Sequence, residues 1–161
     1  MGDLDGKVGH SDPDRHPSEL GLARIATQQM GVVTREQLYE LGFTHQQIKR
    51  RLGLGRLHRI HHNVFAVGHP RLTSQASLVA AFLSVGPRSF LSHRTAAAVW
   101  GMRAVNVRDI EITVPGTGGR QHTTLTIHRT RAEPDADEVR SRGDLRVSSV
   151  PRMLVELAVR V

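Results

Sequence analysis

Residues 34–67, TREQLYELGFTHQQIKRRLGLGRLHRIHHNVFAV, decide how the chain begins to fold. Thr34 stands three residues before Gln37, and Thr44 three before Gln47. This is the capping-box spacing, in which the hydroxyl accepts from the third helical N–H and the amide reaches back to the cap. Leu38 and Leu41 follow the first box as a short apolar stripe, and Ile48 and Leu52 follow the second. Gly42 suits the left-handed residue beyond a helix, and Gly53 and Gly55 end the next one. Upstream, Leu22, Ile25, Ala26 and Met30 recur at helical spacing before Gly31, which predicts a first helix with a stop signal. Three short helices with a Gly-containing turn between the second and third predict a helix-turn-helix. Arg56 to Ile60 and Val64 to Val67 are β-prone segments around His61-His62-Asn63. A hairpin directly after the third helix reads as a wing.

The densest charge of the chain lies in the same stretch. From Lys49 to His62 there are five cations (Lys49, Arg50, Arg51, Arg56, Arg59), three histidines and no acid, a net +5 in fourteen residues. Such a run is either a solvated basic face or the footprint of a polyanion. With roughly 100° per residue and the buried face centred on Ile48 and Leu52, Gln46 and Arg50 point most directly outward, with Gln47 next. These three are expected to read bases, since Gln pairs with adenine and Arg with guanine in the major groove. For Gln47 the capping bond is a competing use of the same side chain. Lys49 and Arg51 fall on the flanks and, with Arg56, Arg59, His61 and His62 on the hairpin, are expected to hold phosphate. Double-stranded DNA is the expected partner, and neither a cofactor nor a metal is implied.

The chain has 161 residues, 22 Lys+Arg against 15 Asp+Glu, and no Cys. Lack of cysteine excludes a disulfide framework, thiolate zinc sites, iron–sulfur ligation and a thiol nucleophile. The longest nearly apolar run, Ala76 to Val85, is about half of the roughly 20 residues a membrane span requires. The opening MGDLDGKVGHSDPDRHP has no apolar stretch, so no signal peptide or membrane partner is expected and the location should be cytoplasmic. These features predict an α+β chain with a disordered leader over residues 1–17, a winged helix-turn-helix over 18–68 and a mixed domain over 69–161.

For that last part, Thr73 should cap a helix through Val85, ended by Gly86-Pro87. Ser92 should start another, with Ala96, Ala97 and Trp100 inward. Ile110, Ile112 and Val114 alternate with Asp109, Glu111 and Thr113, which predicts a half-buried strand with an exposed polar face. Leu125 and Ile127 predict a second strand, joined to the first as a hairpin by Pro115-Gly116-Thr117-Gly118-Gly119, within a small antiparallel sheet. Leu145 and Val147 suggest one more strand. Ser148-Ser149-Val150-Pro151 should open a last helix whose stripe is Leu154, Leu157, Ala158 and Val161. That stripe must pack on its own domain, pair with another chain as in a homodimer, or be the stump of a longer protein.

The run GVVTREQLYELGFTHQQIKRRLGLGRLHRIHHNVFAVGHP, followed by LSHRTAAAVWGM, IEITVP, IHRTR and SSVPRMLVELA, resembles the AbiEi-type antitoxin proteins over roughly Leu20 to Ala158. The resemblance implies an N-terminal winged helix-turn-helix and repression of the chain's own operon. It also implies a type IV toxin–antitoxin pairing with a nucleotidyltransferase-like toxin. Related chains often continue into a Vsr-like nuclease domain of the PD-(D/E)XK type, so a DNA-docking remnant of such a nuclease is an alternative. A toxin-binding module without important DNA binding is another. This chain has His62-Asn63 where an Arg-Gly pair is frequent.

Enzyme chemistry is not expected. Asp109 and Glu111 offer the acids of a nuclease, but position 113 is Thr and the lysines are only Lys7 and Lys49. His58, His61, His62 and His69 lack a neighbouring carboxylate, and their basic surroundings repel a dication. His93 follows Ser92, but adjacency in sequence does not make a catalytic triad, which is a matter of geometry.

Overall fold

Ser18 Oγ accepts from the Gly21 N–H at 2.9 Å and opens α1 (Glu19–Gln28), the first element of the computed structural model, which describes residues 18–117 and 122–159. The expected leader, Gly118-Gly119 of the expected turn, and Val161 lie outside the described residues. The chain is α+β, with six helices and two sheets among the described residues.

Both capping boxes form. Thr34 heads α2 (Arg35–Glu40) and Thr44 heads α3 (His45–Gly53), each with the hydroxyl and the Gln amide bonded reciprocally. Gly42, at φ 88°, ends α2. There the Phe43 N–H reaches the Leu38 carbonyl at 3.0 Å and the Gly42 N–H reaches that of Tyr39 at 2.9 Å. This double closure satisfies two orphan carbonyls and turns the chain straight into α3.

A short strand, β1 (Val32–Thr34), lies between α1 and α2, where sequence periodicity has too few residues to register it. It pairs with the hairpin β2 (Leu57–His61) and β3 (Val64–Val67) in an antiparallel sheet of order β1-β3-β2. Successive strand residues face opposite sides, and both sides are covered here. Val33, Leu57 and Phe65 join Leu22, Ala26, Leu38, Phe43 and Ile48 in one core. Val32 and Val64 pack instead on Ala76 and Ala80 of α4 (Ser74–Val85). Burying each large apolar side chain contributes about 1.5–3 kcal/mol, which fixes α1 to α3 on one face of this sheet and α4 on the other.

Thr73 caps α4 as expected, accepting from the Ala76 N–H at 3.1 Å. The other side of α4 presents Leu78 and Ala81 to a second core. That core is built by β4 (Phe90–Leu91), α5 (His93–Val99), β5 (Ile110–Pro115), β6 (Leu125–Thr130), β8 (Leu145–Ser148) and α6 (Val150–Ala158), with β7 (Val139–Arg142) at the sheet edge beside β8. The first sheet ends with Val67, and α4 packs on both sheets and ties them together.

Three expectations fail in this half. The sheet, of order β6-β5-β4-β8-β7, is mixed and not antiparallel. β5 and β6 run parallel with Ile110 opposite Leu125, so Pro115 does not begin a hairpin turn. Glu111 and Thr113 are not an exposed face either, being 0% and 3% exposed. The first turn of α5 covers them: the Arg94 N–H donates to Glu111 Oε2 at 2.8 Å, and Thr113 Oγ1 donates to Ser92 Oγ at 2.8 Å. Finally, α6 buries Met153 with Val150 and Leu157 against the core, while Leu154 is 55% exposed. Of the expected stripe, Leu157 packs on the core beside Met153, Leu154 and Ala158 are exposed, and Val161 lies outside the described residues.

Candidate nucleic-acid interface

α3 is seated by Ile48, which is 3% exposed, with Leu52 beside it. This orientation leaves Gln46, Lys49 and Arg50 exposed on the side away from the core. Gln47 accepts the Thr44 N–H through Oε1 at 2.8 Å while donating its own N–H to Thr44 Oγ1 at 3.2 Å. Its amide oxygen is thus committed to the cap, the competing use that the spacing implied.

Arg51, expected to hold phosphate, has partners within the chain. Its guanidinium pairs with Glu19 and lies 4.7 Å from the centroid of the Phe43 ring. An arginine in this position braces α3 against α1. Around it, Gln47, Arg50, Arg51, Leu54 and Arg56 form a cleft of about 220 Å³ floored by Phe43. Arg56 is exposed at the start of the hairpin, with its N–H on the Arg51 carbonyl at 2.9 Å. Arg59 is exposed on β2, paired in register with Phe65.

The hairpin closes through His62 and Asn63 between paired His61 and Val64, with Asn63 at φ 58°. Asn tolerates the left-handed region better than most residues, so it performs the turn without glycine. Asn63 also fastens the turn to α2: its carbonyl accepts the Arg35 N–H at 2.9 Å and its Nδ2 donates to Glu36 Oε1 at 3.5 Å. His62 is exposed at the tip. His61 is half-buried, with Nδ1 3.1 Å from Thr124 Oγ1. Burial, and secondarily His122, lower its pKa below the ordinary histidine value. With its pKa lowered, the ring favours the neutral form at pH 7, although its place in the basic run suggested a phosphate contact.

Arg35 is a basic residue of this surface that sequence reading passes over. It lies 5.7 Å from the Phe65 ring centroid, and its Nε is buried without a hydrogen-bond partner among the described residues. A cation in the first turn of a helix opposes the helix dipole, and that local conflict is the signal it left. Its closeness to the hairpin is tertiary and invisible in the sequence.

A second polar cluster lies in the other half. His93, at φ 51°, stacks on His128 with ring centroids 3.7 Å apart. His128 Nε2 lies 3.4 Å from Glu111 Oε1, and the His93 N–H donates to Glu156 Oε2 at 2.9 Å. Glu156 also accepts from Ser148 Oγ and from Arg152 Nε, the latter at 2.9 Å. Ser92 Oγ does lie 3.0 Å from His93 Nδ1, but Ser92 is 0% exposed. A hydroxyl so enclosed cannot attack a substrate from solvent. Asp109, the other acid of the nuclease pattern, accepts from Thr126 Oγ1 at 2.8 Å. These carboxylates join β5, β6, α5 and α6.

Among the described residues, no three His, Asp or Glu side chains gather as a metal site, and no helix is long and apolar enough to cross a membrane. No protein-family model matches the sequence, and no curated protein matches it significantly.

Proposed function

We propose that residues 18–68 form a winged helix-turn-helix that binds double-stranded DNA sequence-specifically. Gln46 and Arg50 meet base edges, while Lys49, Arg56 and Arg59 meet phosphates. One observation carries this reading. The order α1-β1-α2-α3-β2-β3 is closed by a sheet of order β1-β3-β2, and Ile48 is buried under α3 while Gln46, Lys49 and Arg50 are exposed beyond it. A rigid helix with an amide and a guanidinium on its outer face has the donors and acceptors for major-groove readout. The flanking cations supply counterion release. Autorepression as an antitoxin, with residues 69–161 meeting a nucleotidyltransferase-like toxin, rests on the family resemblance alone.

A second reading, a protein-interaction module or homodimer, is favoured by the outer face of α6. There Leu154, Val155 and Val159 are 55%, 63% and 81% exposed.

Fluorescence anisotropy with a labelled duplex from the chain's own upstream region tests the first reading. The upstream duplex should bind roughly a thousandfold or more tighter than a scrambled one, the lower range for specific over non-specific sites. Equal affinity for both, or none, would leave the interaction reading ahead.

A further inference from the structure

We infer that the acidic segment Asp3-Leu4-Asp5 docks on the cleft between the end of α3 and the start of the hairpin and competes there with DNA. The competition rests on the DNA-binding reading, and the docking does not. Arg50, Arg51 and Arg56 surround the cleft with Gln47, and Leu54, the C-cap of α3, forms an apolar wall that is 58% exposed. The cleft already takes one carboxylate of its own chain, because Glu19 pairs with Arg51. Among the described residues no carboxylate pairs with Arg50 or Arg56, and both are exposed. Two open guanidiniums beside an exposed leucine suit an occupant with two carboxylates around an apolar side chain.

The sequence supplies that pattern close by. Asp3 and Asp5 flank Leu4, and residues 1–14 hold four Asp against Lys7 in a chain of formal net charge +7. These residues precede the described part, which begins at Ser18, one residue from the carboxylate that reaches Arg51. The thirteen residues from Asp5 to Ser18 span up to about 45 Å when extended, several times the roughly 14 Å length of α3. A tether of this length holds its end at about millimolar effective concentration, enough for ion pairs that are weak one by one. Asp12 and Asp14 fit the cleft less well. Pro13 stands between them where Leu4 stands between Asp3 and Asp5, and the basic Arg15 follows them.

Two full-length variants of equal charge, Asp3→Asn/Asp5→Asn and Asp12→Asn/Asp14→Asn, separate docking from a general charge effect. In nitrogen-15-labelled protein at about 50 mM salt, the first should move amide signals concentrated at residues 47–56, and the second should not. The difference should vanish at about 0.5 M salt, where exposed charges are screened within about 5 Å. With a scrambled duplex followed by anisotropy, the first variant should bind about threefold tighter, the gain expected if the docked form holds about two-thirds of the protein. The second should match the unsubstituted protein. Absent or scattered amide shifts, or equal shifts from the two variants, would overturn the docking whatever the duplex does. Cleft shifts with unchanged duplex affinity would overturn the competition. Cleft shifts with no duplex binding by any of the three proteins would uphold the docking and overturn the DNA reading instead.

Discussion

Arg51 of α3 pairs with Glu19, the first residue of α1, and stacks its guanidinium on Phe43 at 4.7 Å. An ion pair this exposed contributes only about 0–1 kcal/mol. Its larger effect is to withdraw one cation from the outer face of α3. Glu19→Gln should therefore change the denaturant midpoint little. It should steepen the salt dependence of DNA binding by up to about 0.9 in slope, the value of one added phosphate contact. An unchanged slope would mean that Phe43 alone holds Arg51 back.

His61 couples the hairpin to Thr124 and gives folding a pH dependence. Its folded pKa is depressed by burial and by His122, so the unfolded chain binds its proton more readily. The stability it contributes is present above the unfolded pKa of about 6.5 and is lost as pH falls below that value toward the folded pKa. Denaturant melts between about pH 7.5 and 5 should show a loss that is smaller in His61→Gln. Parallel pH profiles for the two proteins would refute this.

The last helix gives a stability contrast between adjacent residues. Met153 is 0% exposed and Leu154 55%. Met153→Ala should cost about 2–5 kcal/mol, the range for large-to-small core changes. Leu154→Ala should fall within about 0.5 kcal/mol, as expected for an exposed site. Urea melts of the two variants decide, and a larger cost at Leu154 would reverse the seating of α6. Weakened self-association of Leu154→Ala in sedimentation would favour α6 as an interface between copies.

Features set by neighbouring residues were legible in the sequence. The caps at Thr34, Thr44 and Thr73 each depend on a hydroxyl and a backbone N–H three residues apart, and all three form. The outward placement of Gln46 and Arg50 follows from the apolar pair Ile48 and Leu52. Features set by distant packing were not legible. The alternation at Ile110 to Val114 reads as one exposed face, but Glu111 is enclosed by the first turn of α5, seventeen residues earlier. Glycines after Pro115 suit a tight turn and equally suit a return path to a parallel strand, and only the Ile110–Leu125 register distinguishes them. Within the basic run, charge alone could not separate Arg51, held by Glu19, or half-buried His61 from the exposed Lys49 and Arg59.

The salt dependence of binding to the upstream duplex tests the DNA-binding account most directly. With Arg51 paired and His61 neutral, Lys49, Arg56 and Arg59 remain for phosphate, so the slope of log affinity against log salt should be about −2.7. Five contacts, as the bare sequence suggests, would give about −4.5. Affinity should fall roughly 40-fold between about 50 and 200 mM salt. Arg59→Ala should weaken all sequences alike and reduce the slope by about 0.9. Arg50→Ala should cost about 1–3 kcal/mol on the preferred site and relax discrimination at one base pair. A slope near zero, or unchanged affinity when Arg50 and Arg59 are both replaced, would contradict the account and make this basic run a solvated face.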